Sequence, residues 1–396
     1  MAEQDPLKAK IKKAVLDERV RRAARKQVDS ETHVPSDIQI QPASKIERRR
    51  LRTYFGGRLV RGSLQILVGP GEAGKGMVSV DLVARFTTGE PFPGERDGRP
   101  ATNVLICVTE DSKERVAARL EAAGADLDRA LFVEGPPVIR GGLILPRPVA
   151  FDEDAGIMAE KAKALGAGAL YLETMLEHLG DPEGRKQWSS NNEADVRRAI
   201  SPVVALCREA DLVGWGVMHP RKSIDGGIED SISGSAAFRN VGRGILHVYR
   251  DPIANGTDPT RLFLCSKSNY LAQRPTTLRF RIDSWERDSS EGKVVWGIEG
   301  KTLVDPRSAE DVWQQIREAK QKSRPRSDIN IVTAERLLKK ILADGLKPIT
   351  EIEKAAEEAG ISLASLRRAK LGLGVVSRKA GMPAKVIGWE LPPEDM

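Results

Sequence analysis

The chain has 396 residues, 40% of them hydrophobic, enough for one large core and a smaller second one. Its net charge of +7, with cations gathered toward the two ends, permits nucleic-acid binding without demanding it. No run is apolar over the length a membrane helix needs, and the charged start "MAEQDPLKAKIKKAVLDERV" lacks a signal-peptide core, so a soluble, cytoplasmic protein with no membrane partner is expected.

In chain order, "PLKAKIKKAVLDERVRRAARKQV" (6–28) is a highly charged helical stretch with Ile11, Val15, Val20 and Ala24 at near-helical spacing. It suits a partner-binding helix or a solvated arm. A polar linker follows, and residues 1–49 are read together as an N-terminal helix and linker. From Arg50, short apolar strands alternate with helices: "SLQILVG", "NVLICVTE", "RALFVEG", "ALYLE" and "LVGWGVMH" interleave with segments such as "SKERVAARLEAAGAD" and "EADVRRAISPVVALCREA". This alternation predicts an α/β domain with a mostly parallel sheet. The later strands "ILHVYRD", "RLFLCSK", "TLRFRID" and "VVWGIEG" succeed one another without helices, so an antiparallel extension at one sheet edge is expected. The domain is placed at 50–305, a helix and linker at 306–328, and a second domain at 329–396. That last segment reads as three short helices and a β-hairpin, the winged-helix arrangement. Arg367, Arg368 and Lys370 fall on its third helix, and Arg378, Lys379 and Lys385 on the wing. Such cations suit DNA phosphates; packing against a partner or neighbouring subunit is the alternative. Cys107, Cys207 and Cys265 sit in apolar runs and read as reduced core thiols, and the four histidines show no metal-ligand spacing.

The segment "ILVGPGEAGKGMVSVDLV" is a strand, a glycine-rich turn and a helix start. Gly69, Pro70, Gly71, Glu72, Ala73, Gly74 and Lys75 match the P-loop spacing, in which backbone N–H groups and a helix N-terminus converge on phosphates. Lys75 would reach the β- and γ-phosphates of ATP, with Gly76 and Met77 completing the cradle. Gly76 stands where a hydroxyl normally ligates Mg²⁺, so a water, another side chain, or weak Mg²⁺ binding must account for that position. "VTED" closes a strand read as lying beside the P-loop strand, so Glu110 is placed to orient or deprotonate the attacking water and Asp111 to cap the following helix. "ALYLETMLEHLGD" ends its strand on Glu173, a carboxylate able to hold a Mg²⁺-bound water. His219 closes "VGWGVMHPRKS", three residues before Lys222, and reads as a γ-phosphate sensor or a structural histidine. Arg243 reads as an arginine finger or a surface arginine.

Five ordered segments, from "RGSLQILVGPGEAGKG" through "VTEDSKERVAARLEAAGAD", "NNEADVRRAISPVVALCREADLVGWGVMHPRKS" and "SGSAAFRNVGRG" to "LFLCSKSNYLAQRPTTLRFRI", resemble the RecA-like ring ATPases of the plasmid RepA replicative-helicase type. The resemblance covers roughly residues 50 to 285 and is more distantly similar to DnaB and RecA. It implies that Lys75 is the P-loop lysine, Glu110 the catalytic glutamate, and Arg119 an arginine near the nucleotide. It likewise sets Glu173 at the Walker B aspartate, His219 at the γ-phosphate histidine, Arg243 at the finger and Lys267 at a basic finger inserted into a neighbour's site. A ring, usually a hexamer, with ATP sites between subunits and single-stranded DNA in its channel is implied as well. The tail is similar to tails on phage and actinobacterial members. The departures at Gly76 and Glu173 both fall on the Mg²⁺ side. A DNA-associated, Mg²⁺-dependent helicase or translocase is the first reading; a low-turnover assembly, loader or regulatory protein is the other.

Overall fold

The computed structural model describes residues 40–48, 50–140, 143–179, 189–221, 226–288, 291–323, 326–380 and 385–392. The expected helix over 6–28 lies outside them. Contacts divide the chain between Leu51 and Arg52. In the first part, the described residues hold one 3-10 turn, Ala43–Lys45.

Beyond Arg52 the chain opens with β1 (Thr53–Tyr54), β2 (Leu59–Val60) and β3 (Ser63–Val68), then β4 (Asn103–Cys107) and β5 (Ala130–Phe132). A hairpin of β6 (Gly135–Arg140) and β7 (Leu143–Arg147) precedes β8 (Ala167–Leu172) and β9 (Val213–Met218). β10 (Gly244–Arg250), β11 (Arg261–Ser268), β12 (Thr277–Ser284), β13 (Gly292–Trp296) and β14 (Val304–Asp305) complete the domain's strands.

The main sheet runs in the order β13-β12-β11-β10-β3-β9-β8-β4-β5, with β14 paired to β12. From β10 to β5 neighbours are parallel, and from β10 to β13 antiparallel, as the alternation and then absence of helices predicts. β3, β8 and β9 are buried at every position, which is why they read as continuous apolar runs. Leu64, Ile66 and Val68 face the helices Phe151–Ala164 and Glu193–Glu209. Leu67, Val213, Trp215 and Val217 face the P-loop helix Lys75–Thr88. On β9 the residues between these are glycines because the opposite layer sits close. A Cβ on Gly214 would lie 2.5 Å from Cys207 Sγ, and one on Gly216 2.7 Å from Met175 Sδ.

One expectation is corrected. β4, which leads to Glu110, is not the neighbour of β3; β9 and β8 stand between them. The P-loop helix carries the chain past two strand positions, and later segments fill the gap. Glu110 reaches the P-loop edge because parallel strands all finish on that side, not through adjacency.

The antiparallel extension closes over the P-loop helix. Trp296 on β13 donates its indole N–H to Asp81 (2.8 Å), which also receives Arg85 at 3.0 Å. Phe55 stacks on Phe92 and Phe263 and meets Trp296 edge-on, so an aromatic cluster joins β11 and β13 to the chain before β3.

Within 306–328, read as a helix and linker, one helix spans Ala309–Ser323, and the next covers Arg326–Ile341. Helices Ile349–Glu358 and Leu363–Gly372 come after, with β15 (Lys347–Pro348), β16 (Val376–Ala380) and β17 (Lys385–Glu390) forming a small antiparallel sheet in the order β15-β17-β16. These elements share their own core around Leu338, Ile352, Leu366 and Trp389.

Trp296→Phe removes the hydrogen bond to buried Asp81 and is expected to lower unfolding free energy by about 1–2 kcal/mol, read as a reduced urea midpoint with unchanged slope.

Candidate functional site

The P-loop leaves β3 and turns at Glu72 (φ 59°) and Gly74 (φ 101°) before its helix begins at Lys75. Gly74 is needed for that left-handed step, and a Cβ there would also lie 2.8 Å from Ile282 Cδ1. Gly69 is held against β10, where a Cβ would lie 2.4 Å from the Val248 carbonyl oxygen. Gly71 and Gly76, by contrast, have nothing within 4 Å of an added Cβ. That open space beside free backbone N–H groups is what a polyphosphate requires. Lys75 is buried, and its ammonium donates to the Pro70 carbonyl at 2.8 Å. Burial pushes its pKa down to about 8, partly offset by the nearby Glu110 carboxylate.

Glu110 and His219 are both exposed, with His219 Nε2 3.8 Å from Glu110 Oε1. β4 and β9 thus bring to one edge two groups more than a hundred residues apart. Between them, β8 leads directly into Glu173, which is buried and has one oxygen, Oε2, without a hydrogen-bond partner. Burial holds its pKa above the usual carboxylate range, Asp111 and Glu110 add to the rise, and Arg119 opposes it. An acid left short of partners at the P-loop edge fits a magnesium ion reached through water. Among the described residues no group of three or more histidine, cysteine or carboxylate side chains is placed to hold a metal. A cation bound mainly by phosphate oxygens and water would need few protein ligands.

Asp111 is not the helix cap. Ser112 accepts the Arg115 amide at 3.3 Å and caps Lys113–Ala122, while Asp111 pairs with Arg119. Arg119 is held on its other side by Glu291 at 3.4 Å and is largely buried. Glu291 lies in the antiparallel extension, far along the chain, and no local pattern in the sequence marks it. Met77 is half-buried at the start of the P-loop helix.

Arg243 and Lys267 lie elsewhere. The Arg243 amide donates to the Leu64 carbonyl (3.2 Å), at the start of β3, and Lys267 pairs across from Ile245 on β10. From Leu64 to Gly69 is roughly 16 Å of strand, beyond the reach of an arginine side chain. Arg243 is exposed at this far edge. Lys267 donates to the Arg239 carbonyl, and burial lowers its pKa, with Glu229 opposing.

Arg367 and Arg368 are exposed on the helix Leu363–Gly372. Lys370 is engaged within its own module: its ammonium lies 4.7 Å from the centre of the Trp389 ring and donates to Ser377. Arg378 pairs with Glu390 on β17. The side chains of Lys379 and Lys385, and all of Lys222, lie outside the described residues.

Residues 30–225 match the family model of an AAA domain. The match supports a P-loop ATPase of AAA/RecA-like type, in keeping with the central parallel sheet and the loop at its edge. No curated protein matches the chain. The AAA domain match spans Lys75, Glu110, Glu173 and His219 and ends before Arg243 and Lys267. Nucleotide binding, typically with Mg²⁺, is what the AAA match implies, and it agrees with the open space at Gly71 and Gly76. Among the described residues no helix is long and apolar enough to cross a membrane.

This geometry sets two measurable outcomes. Phosphates bind best to protonated Lys75, so affinity for a non-hydrolysable ATP analogue is expected to hold below pH 8. It should then weaken by up to about tenfold per pH unit above 8, with Lys75→Ala weak throughout; calorimetric titration across pH 7–9.5 reads this. Gly76→Thr meets no steric obstacle and supplies the missing hydroxyl. It is expected to lower the Mg²⁺ concentration for half-maximal turnover by roughly tenfold, measured by phosphate release against Mg²⁺.

Proposed function

We propose that this ATPase works as a ring-forming, DNA-associated motor of the replicative-helicase or translocase type, hydrolysing ATP where neighbouring copies meet. The supporting observation is the division of the charged groups between two sheet edges. Lys75, Glu110, Glu173 and His219 occupy the P-loop edge, while Arg243 and Lys267 start from the far edge and cannot reach their own phosphates. In a head-to-tail assembly, the far edge of one copy faces the P-loop edge of the next, and repetition closes a ring. A hexamer is the ring size favoured by the resemblance.

In this reading the P-loop amides and Lys75 hold the phosphates. Glu110 orients and deprotonates the attacking water, with His219 beside it to register the γ-phosphate. Arg243 and Lys267 of a neighbour neutralise the charge that develops on the transferred phosphoryl group. Mg²⁺ would offset phosphate charge next to Glu173 and could be held there through water. Single-stranded DNA would pass along the channel. The C-terminal module, read as a winged helix, would present Arg367 and Arg368 to duplex phosphates, since Lys370 and Arg378 are already committed to Trp389, Ser377 and Glu390.

A second reading has one observation in its favour. Gly76 offers no hydroxyl, which suits a slow ATPase that uses nucleotide to hold an assembly on DNA or to load a partner.

The test mixes two variants, each expected to be inactive alone: Lys75→Ala and Arg243→Ala. Shared sites would restore roughly a quarter of wild-type turnover at equal proportions, since a quarter of the interfaces then pair an intact P-loop with an intact arginine. No restoration removes the shared site. Wild-type turnover that single-stranded DNA leaves unchanged removes the motor but not the ATPase. A Glu110→Gln variant that keeps the wild-type rate removes Glu110 from its role.

A further inference from the structure

A cavity of about 280 Å³ lies beside the P-loop on the sheet face opposite the Lys75–Thr88 helix. The face is settled by β11: Leu262 and Leu264 point toward Tyr249, Trp313 and Ile316, whereas Phe263 and Cys265 join the core under the P-loop helix. One wall is the outer side of the loop itself, Pro70 and Gly71. Tyr249 and the Ala309–Ser323 helix, through Trp313 and Ile316, make the floor. Trp313 is fixed there by its indole N–H, which donates to the Gly226 carbonyl at 3.0 Å.

Three features describe what the cavity would hold. Its walls are mainly apolar, and its volume is just below the roughly 300–1,000 Å³ of small-molecule sites, so the body of the ligand is small. Tyr249 is only 6% exposed, and the polar group beside its hydroxyl is Ser231, which gives its own proton to the Ile228 carbonyl (2.6 Å) and can only accept from the phenol. The phenol oxygen is left without a donor, and a ligand that supplies one stabilises it. The rim, finally, carries Arg250 and Arg221, the latter with one amino group donated to the Gly234 carbonyl, and the carboxylate among them, Asp251, is already gripped by both Arg307 amino groups at 2.9 and 2.8 Å.

We propose that this cavity is a second nucleotide site, sharing the P-loop's outer side as a wall but taking its own ligand, with the base of a nucleoside phosphate against Tyr249 and its phosphate on Arg250 and Arg221. The phosphate is the group that a fork of arginine donors recognises, and the base is the flat body that apolar walls accept. The ligand could arrive as a free mononucleotide or as one unstacked nucleotide of a single strand. The proposal does not rest on the motor reading, because it needs neither turnover nor a ring. An occupant would touch Pro70, whose carbonyl holds Lys75, so filling this cavity bears directly on the loop that binds ATP.

The test uses the full-length chain carrying Lys75→Ala, which removes the P-loop contribution. Two probes are titrated by fluorescence anisotropy: methylanthraniloyl-AMP, and a fluorescein-labelled oligothymidylate of about 15 nucleotides. At least one probe is expected to bind. Arg250→Glu should weaken it by at least about tenfold and Tyr249→Phe by roughly fivefold. Neither substitution, made in the Lys75 chain, should change P-loop affinity for the ATP analogue. Binding of the AMP probe alone assigns the site to free nucleotides; oligonucleotide binding that unlabelled AMP displaces assigns it to a strand. If neither probe binds the Lys75→Ala chain, or if binding ignores both substitutions, the site does not exist.

Discussion

Parallel pairing of β3 with β9, Ser63–Val68 against Val213–Met218, makes both strands finish at the same edge of the sheet. β8 and β4 repeat the direction, so four strands each hand the chain over along one line. Lys75, His219, Glu173 and Glu110 are there for that reason. The pairing is kept in place by burial on both faces and by small residues on β9 that let Cys207 and Met175 approach. A bulkier residue at Gly214 or Gly216 would push these elements apart, and with them the strand that ends in His219. Site geometry is thus a property of the sheet interior rather than of the loops around it.

Much of this was legible because parallel α/β architecture writes itself locally. A buried strand is a short apolar run, and the residue that ends it is by construction at the chemical edge. "SLQILVG", "ALYLE" and "LVGWGVMH" therefore revealed both their strands and the residues that follow them at that edge. Strand order was not legible, since it depends on how far each helix carries the chain across the sheet; Glu110 was expected one strand from the P-loop and stands three away. Asp111 looked like a cap because capping is read from neighbours a few residues apart, whereas its real partner, Arg119, is itself held by Glu291 from a distant strand. The β6–β7 hairpin and the helix Phe151–Ala164 lacked a sharp local signal. In the C-terminal module the cations were visible but not their employment: Lys370 is taken up by Trp389 and Ser377.

The two departures from a standard P-loop site now have different characters. Gly76 sits in open space with ordinary helical backbone, so nothing in the packing requires a glycine there. Glu173 is enclosed, short of one hydrogen-bond partner and biased toward its neutral form by burial and by Asp111. A cation at this edge would find no hydroxyl at Gly76 and, at Glu173, a carboxylate short of partners.

The two links that reach β13 have a mechanical meaning. At one end, Trp296 is joined to Asp81 on the P-loop helix; just before the other, Glu291 is joined to Arg119 on the next helix. β13 is therefore a brace pinned at both ends, spanning the first two helices of the domain from outside. Any rearrangement that frees Arg119 from Glu291 unpins one end and leaves the other fastened, turning the brace into a lever whose pivot is on the P-loop helix. Strain at the phosphate edge could then be carried to the outermost antiparallel strands without the central sheet having to bend.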